Sequence, residues 1–200
     1  MKKYLAEALG TFALALVVAL ASSRSFPVST PVLAGFTLAL FAYTIGHISG
    51  AHINPAVTVG AWSIGKIKTP DAIGYIIMQF VGGGLALLLA NNIVHNPGFA
   101  SGLPASVVFW AEALGAFFFT FGVASTIYKK VPEDVVGMVA GGSLFLGITL
   151  AALLGSAGFL NPAVALAAGS LTIWYLIGPL VGGVAGMWAY KYLTHMPEIQ

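Results

Sequence analysis

Asn54 and Asn161 open the same four-residue phrase, Asn-Pro-Ala-Val, at residues 54–57 and 161–164 of a 200-residue chain. Asn starts helices well because its side-chain oxygen accepts a backbone N–H, and Pro suits the first helical position because it has no N–H to leave unpaired. Pro55 and Pro162 hold that position, and Ala56 and Ala163 follow them, small enough for another backbone to approach closely. With its oxygen committed to the cap, each amide keeps its NH2 as a donor. Two such donors at two converging helix N-termini, where the dipole is positive, would bind a neutral acceptor such as a water or alcohol oxygen and repel a cation or hydronium. That is the chemistry of binding and passage, not of bond-making. The chain has no cysteine, and His47, His52, His95 and His195 lack zinc-like spacing. No nucleotide-binding motif or catalytic dyad accompanies them. We therefore expect no metal, no cofactor and no enzyme.

Composition sets the surroundings of these residues. The chain is 58% hydrophobic and 7% charged, where a soluble domain carries about a quarter charged residues. Lipid is the expected solvent. Six segments are apolar enough, over roughly 20 residues, to cross a bilayer: about 4–22, 32–49, 71–91, 107–127, 136–154 and 173–193. The opening "MKKYLAEALGTFALALVVALASS" has a basic start and an apolar core like a signal peptide. Glu7 interrupts that core, however, and the segment has a counterpart later in the chain.

The counterpart belongs to a repeat. "AEALGTFALALVVA" (6–19) returns as "AEALGAFFFTFGVA" (111–124), "VLAGFTLAL" (32–40) as "MVAGGSLFL" (138–146), "INPAV" (53–57) as "LNPAV" (160–164) and "QFVGGGLA" (79–86) as "PLVGGVAG" (179–186). The offsets are 105, 106, 107 and 100 residues, in constant order. This predicts one domain over residues 1–200, built from two three-helix copies spanning about 1–103 and 104–200. Three is odd, so the second copy enters the membrane from the opposite side, and inverted repeats of this kind place a shared site near the midplane. Six spans put Lys2, Lys3, Lys66, Lys68, Lys129, Lys130 and Lys191 on one face and Arg24 on the other. By the positive-inside rule both termini are expected in the cytoplasm of a cell membrane. After each Asn-Pro comes a short apolar run, 56–64 and 163–171, that is helix-compatible but too short to span. Re-entrant half-helices are the expected form, tolerable at membrane depth where they pack in protein or line water.

At this point the chain resembles the aquaporins, the major intrinsic protein family, over essentially its whole length. "GHISGAHINPAVTVG" (46–60) follows the family's first-half motif closely, and "GFLNPAVALAAG" (158–169) follows the second less well. The resemblance implies an all-α membrane protein of six transmembrane helices plus two re-entrant half-helices. It also implies a pore in each protomer, usually within a tetramer, with Asn54 and Asn161 at the pore centre and His52 on the approach. One departure is large. Most family members carry an arginine after the second Asn-Pro-Ala, where this chain has Val164. Arg24 is its only arginine. Counting from the two motifs assigns the rest of the filter to Ala34, Thr149 and Gly158, which implies a wider and less polar constriction.

Glu7 and Glu112 hold equivalent repeat positions inside apolar runs. Ionisable groups there normally have a named partner. The non-helical links 50–53 and 155–160 carry backbone donors that need acceptors, so we expect each Glu to brace one link as pore scaffold. Gly82–Gly84, Gly182, Gly183 and Gly186 fit close helix packing. The whole reads as a passive channel for water and small neutral solutes of the glycerol, urea and ammonia class, closed to ions and protons. Its expected partners are those solutes, the lipid bilayer and further copies in a homotetramer, with no nucleic acid. A secondary transporter and a structural membrane protein with a closed pore are the alternatives.

Overall fold

A computed structural model of the chain describes residues 1–23, 26–94 and 104–195, so Arg24 and His95 lie outside the described residues. Its long helices are α1 (Lys2–Ser23), α2 (Thr30–Ser49), α4 (Thr69–Val94), α5 (Ala105–Ile127), α6 (Val136–Leu153) and α8 (Ile173–His195). Between them sit two short ones, α3 (Pro55–Ser63) and α7 (Pro162–Ala167), and a 3-10 turn at Glu133–Val135. Six of these segments are long and apolar enough to cross a membrane. Large apolar side chains such as Phe36, Leu88, Trp110 and Leu153 point outward, as they do where the solvent is hydrocarbon rather than water.

The packing repeats across the two halves. Helix α1 lies on α4 as α5 lies on α8, and α2 meets α6 across the midline. The short helices cross over: α3 packs on α8 and α7 on α4, so each seats against the other half. Glycine permits that exchange. A Cβ at Gly183 would lie 2.8 Å from the Ala56 carbonyl oxygen, and one at Gly83 would collide with the Ala163 carbonyl. Ala56 and Ala163 are themselves fully buried. Gly82 and Gly182 likewise meet the backbones of Ala8 and Ala113, and Gly186 meets that of Phe117, whereas Gly84 faces open space. The close packing expected of these glycines therefore excludes Gly84.

Both short helices begin on their asparagine and stop on a glycine. Gly65 (φ 80°) and Gly169 (φ 67°) take the left-handed conformation. Lys66 N–H then donates back to the Ala61 carbonyl at 2.9 Å and Ser170 N–H to the Ala165 carbonyl at 2.9 Å. This is a common helix stop, closed by a 6→1 bond. It ends α7 at Ala167, short of residue 171 as the apolar run alone would place it.

The seating of the half-helices yields a paired prediction. Gly183→Ala should cost roughly 1–3 kcal/mol through overpacking against Ala56, whereas Gly84→Ala should be neutral or slightly stabilising. Thermal unfolding in detergent checks this, and equal melting points for the two variants would count against the close seating.

Candidate functional site

The two asparagines are built into helix starts. Asn54 Oδ1 accepts the Ala56 N–H at 2.7 Å, and Asn161 Oδ1 accepts the Ala163 N–H at 3.0 Å. The amide nitrogens are not both free, as a capping argument alone would have them. Asn54 Nδ2 donates to the Leu160 carbonyl at 2.9 Å, and Asn161 Nδ2 donates to the Ile53 carbonyl at 3.0 Å. Each cap thus grips the link that precedes the other cap. An amide NH2 has two hydrogens, so each asparagine directs one across the midline and keeps one. Both side chains are buried from bulk solvent yet line a cavity.

The links are strained in matching ways. Ile53 (φ 40°) and Leu160 (φ 52°) are left-handed, and so are their neighbours two residues earlier, Ala51 (φ 49°) and Gly158 (φ 68°). A left-handed residue with a Cβ costs about 1–2 kcal/mol, and a β-branched one such as Ile53 is a marked outlier. Each link is held by one carboxylate. Glu7 accepts from Ser49 Oγ at 2.6 Å, His52 N at 3.0 Å, Ile53 N at 2.6 Å and Gln79 Nε2 at 2.8 Å. Glu112 accepts from Ser156 Oγ at 2.6 Å, Gly158 N at 2.9 Å, Phe159 N at 3.1 Å and Leu160 N at 2.7 Å. Both carboxylates are wholly buried. With their N–H groups turned to Glu112, residues 158–160 are fixed against α5.

Two cavities meet at this centre. The one on the face opposite the termini has a volume of about 310 Å³ and opens past Ser22, Thr30 and Pro31. The one on the termini face is about 840 Å³ and is bordered by His47, Lys129 and Glu133. Leu38, His52 and Phe119 line both. Their walls are related by the repeat: Leu14, Val18 and Ile148 line the first, and Phe119, Val123 and Ala42, the residues 105 or 106 positions away, line the second. His52 approaches Thr58 Oγ1 at 3.2 Å through Nδ1 and packs edge-on against Tyr75. Gln79 Nε2 also donates to Thr58 Oγ1, at 2.9 Å. His52 is therefore tied to the Glu7 brace.

Of the expected constriction residues, Ala34, Gly158 and Val164 line the smaller cavity. Thr149 does not. Its hydroxyl donates to the Phe145 carbonyl of its own helix at 2.7 Å, and Ile148 faces the cavity instead. One residue of register turns a helix by about 100°, so a count from the motifs that drifts by one selects the wrong side chain. Leu14, Val18, Phe119 and Leu144 line the walls without standing out in the sequence. The signal that marks them is four-residue spacing, 14/18 and 144/148, combined with the repeat that maps 14 onto 119. Among the described residues no cluster of His, Cys, Asp or Glu could hold a metal ion.

This architecture, six spans with two crossed half-helices meeting at a paired Asn-Pro-Ala, defines a membrane channel of the aquaporin kind. The family model "Major intrinsic protein" matches residues 1–190. An aquaporin of Zea mays is 31% identical over 217 aligned residues, covering 96% of this chain and 75% of the relative. A probable aquaporin of Archaeoglobus fulgidus is 35% identical over 80% of this chain and 74% of its own length. A glycerol uptake facilitator-like protein of Lactiplantibacillus plantarum is 34% identical over 95% and 90%. The X-ray structure of the aquaglyceroporin from Plasmodium falciparum superposes with a TM-score of 0.69 at 20% identity, covering 96% of this chain and 94% of that one. That likeness speaks for the fold. The chain belongs to the major intrinsic protein family, and it is a multi-pass membrane channel rather than an enzyme.

Two outcomes follow from the site. Glu7→Leu or Glu112→Leu leaves buried donors unpaired at roughly 1–3 kcal/mol each, so stability in detergent should fall sharply, and the Gln variants, which keep an acceptor, should lose less. Leu variants as stable as the parent would refute the bracing. At the centre, Asn54→Asp or Asn161→Asp adds negative charge where two helix N-termini meet and should raise sodium or proton conductance in vesicles that still pass water. Unchanged conductance in a folded, water-permeable variant would count against a central barrier.

Proposed function

We propose that the chain conducts water and small neutral solutes passively along the line joining the two cavities, with Asn54 and Asn161 as its ordering and cation-rejecting centre. The observation that carries this reading is the junction itself. Two capping amides, each with a hydrogen to spare, line the smaller cavity together with Leu38, His52 and Phe119, the residues that also wall the larger one. A passing oxygen would accept from the asparagines while the half-helix dipoles disfavour a positive charge. Pro55, Pro162, Ala56 and Ala163 set the two helix starts, and Glu7 and Glu112 hold the links beside them.

Selectivity in this proposal falls to Ala34, Ile148, Gly158 and Val164 on the face opposite the termini. None of these side chains offers a charge or a donor. The names of relatives include both an aquaporin and a glycerol uptake facilitator-like protein, which supports water plus small polyols as the solute range. The lysines of the termini face support an orientation with both termini in the cytoplasm of the cell membrane. A homotetramer is the proposed assembly, by analogy with the family.

Stopped-flow shrinkage of proteoliposomes tests the reading. Water flux well above that of protein-free vesicles is expected, with measurable glycerol or urea flux. Val164→Arg should narrow the passage and add a fixed cation, lowering the ratio of solute to water permeability several-fold. A parent that excludes every solute larger than water refutes the wide constriction, and an unchanged ratio in the variant removes residue 164 from it.

A further inference from the structure

The cavity opposite the termini is amphipathic in an uneven way. Leu14, Val18, Ala34, Leu144, Ile148 and Val164 supply hydrocarbon walls, and no Asp, Glu, Lys or Arg lines it among the described residues. The polar groups that reach it are largely paired within the protein. Ser22 Oγ donates to the Val18 carbonyl at 2.7 Å and Ser156 Oγ to Glu112 at 2.6 Å. The N–H groups of Gly158, Phe159 and Leu160 all donate to Glu112. Below the mouth, side-chain polar groups return at the inner end, with His52 and the two asparagines. The volume, about 310 Å³, far exceeds the roughly 30 Å³ of one water, so a solute of several heavy atoms fits.

A solute crossing this stretch gives up water without finding donors for its oxygens. A hydroxyl that meets these apolar walls is desolvated, which is costly when unpaired, while a methyl gains from the same wall. We infer that the channel prefers neutral solutes bearing an alkyl face, such as short diols and mono-alcohols, over fully hydroxylated polyols of the same size. This rests on the channel reading above and specifies the substrate class for it. Size alone does not account for the preference, because 1,2-propanediol and glycerol differ by one hydroxyl on the same three-carbon skeleton. The leading end of the diol still meets the two asparagine donors at the centre, and its methyl trails along Val164 and Ile148.

The experiment is stopped-flow permeability of parent proteoliposomes to water, glycerol and 1,2-propanediol, with protein-free vesicles subtracted at each solute. The protein-dependent permeability to 1,2-propanediol should exceed that to glycerol about tenfold, which corresponds to about 1.4 kcal/mol. Val164→Thr, nearly unchanged in size, adds a hydroxyl oxygen to the wall that can pair with a solute hydroxyl and should reduce that ratio several-fold. A ratio of one or less with water flux intact overturns the preference and leaves the channel standing. So does water flux with no protein-dependent passage of either alcohol. Absence of water flux overturns the channel reading, and this inference with it.

Discussion

The crossed pair of amide hydrogen bonds, Asn54 to the Leu160 carbonyl and Asn161 to the Ile53 carbonyl, is the constraint on which the rest of the structure depends. Neither short helix is long enough to be stable alone, and neither can end in lipid with open backbone groups. Each is completed by the other half. The asparagine oxygen satisfies its own helix start while its nitrogen satisfies the other link, so one side chain serves both repeats. The crossing also explains the swapped packing, α3 on α8 and α7 on α4, and why Gly83 and Gly183 stand where those helices lie against each other.

Holding the centre in place requires rigid links, and that rigidity comes with local strain. Left-handed Ile53 and Leu160 turn their carbonyls towards the opposite asparagine while their N–H groups turn to Glu7 and Glu112. A buried carboxyl group with four donors tolerates burial because its oxygens are fully hydrogen-bonded. The two braces are not identical. Glu7 is joined through Gln79 and Thr58 to His52, at the meeting of the cavities. At the repeat-related positions of the second half, Glu112 has Pro179, Ala165 and Phe159 in place of Gln79, Thr58 and His52. The passage is thus more polar towards the termini and more apolar away from them, although its backbone frame is nearly symmetric.

Much of this architecture is legible in the amino-acid sequence. The six spans, the repeat and the two half-helices follow from apolar run lengths, constant-order echoes and the Asn-Pro starts, and the spans fall within a few residues of the helices seen. What is not legible has physical causes. In a soluble helix the apolar stripe marks the core, but in lipid apolarity marks every face. Leu14, Val18 and Leu144 therefore look like their outward-facing neighbours. Counting from the motifs selects Thr149, one residue past Ile148, and one residue of error turns a side chain away from the cavity. The apolar run overshoots the end of α7 because hydropathy treats Gly169 as filler, whereas its left-handed backbone makes it a stop. The crossed amide bonds leave no trace in the sequence, since they join residues 106 and 108 positions apart that only the tertiary fold brings together.

The most direct test of the central claim is a double-mutant cycle on Asn54→Ala and Asn161→Ala, read as unfolding free energy in detergent. If the crossed bonds act as one lock, the first substitution loosens the junction and the second then costs less. The double variant should fall short of the sum of the singles by about 1 kcal/mol or more. Additivity within about 0.5 kcal/mol would show two independent helix caps and contradict the account.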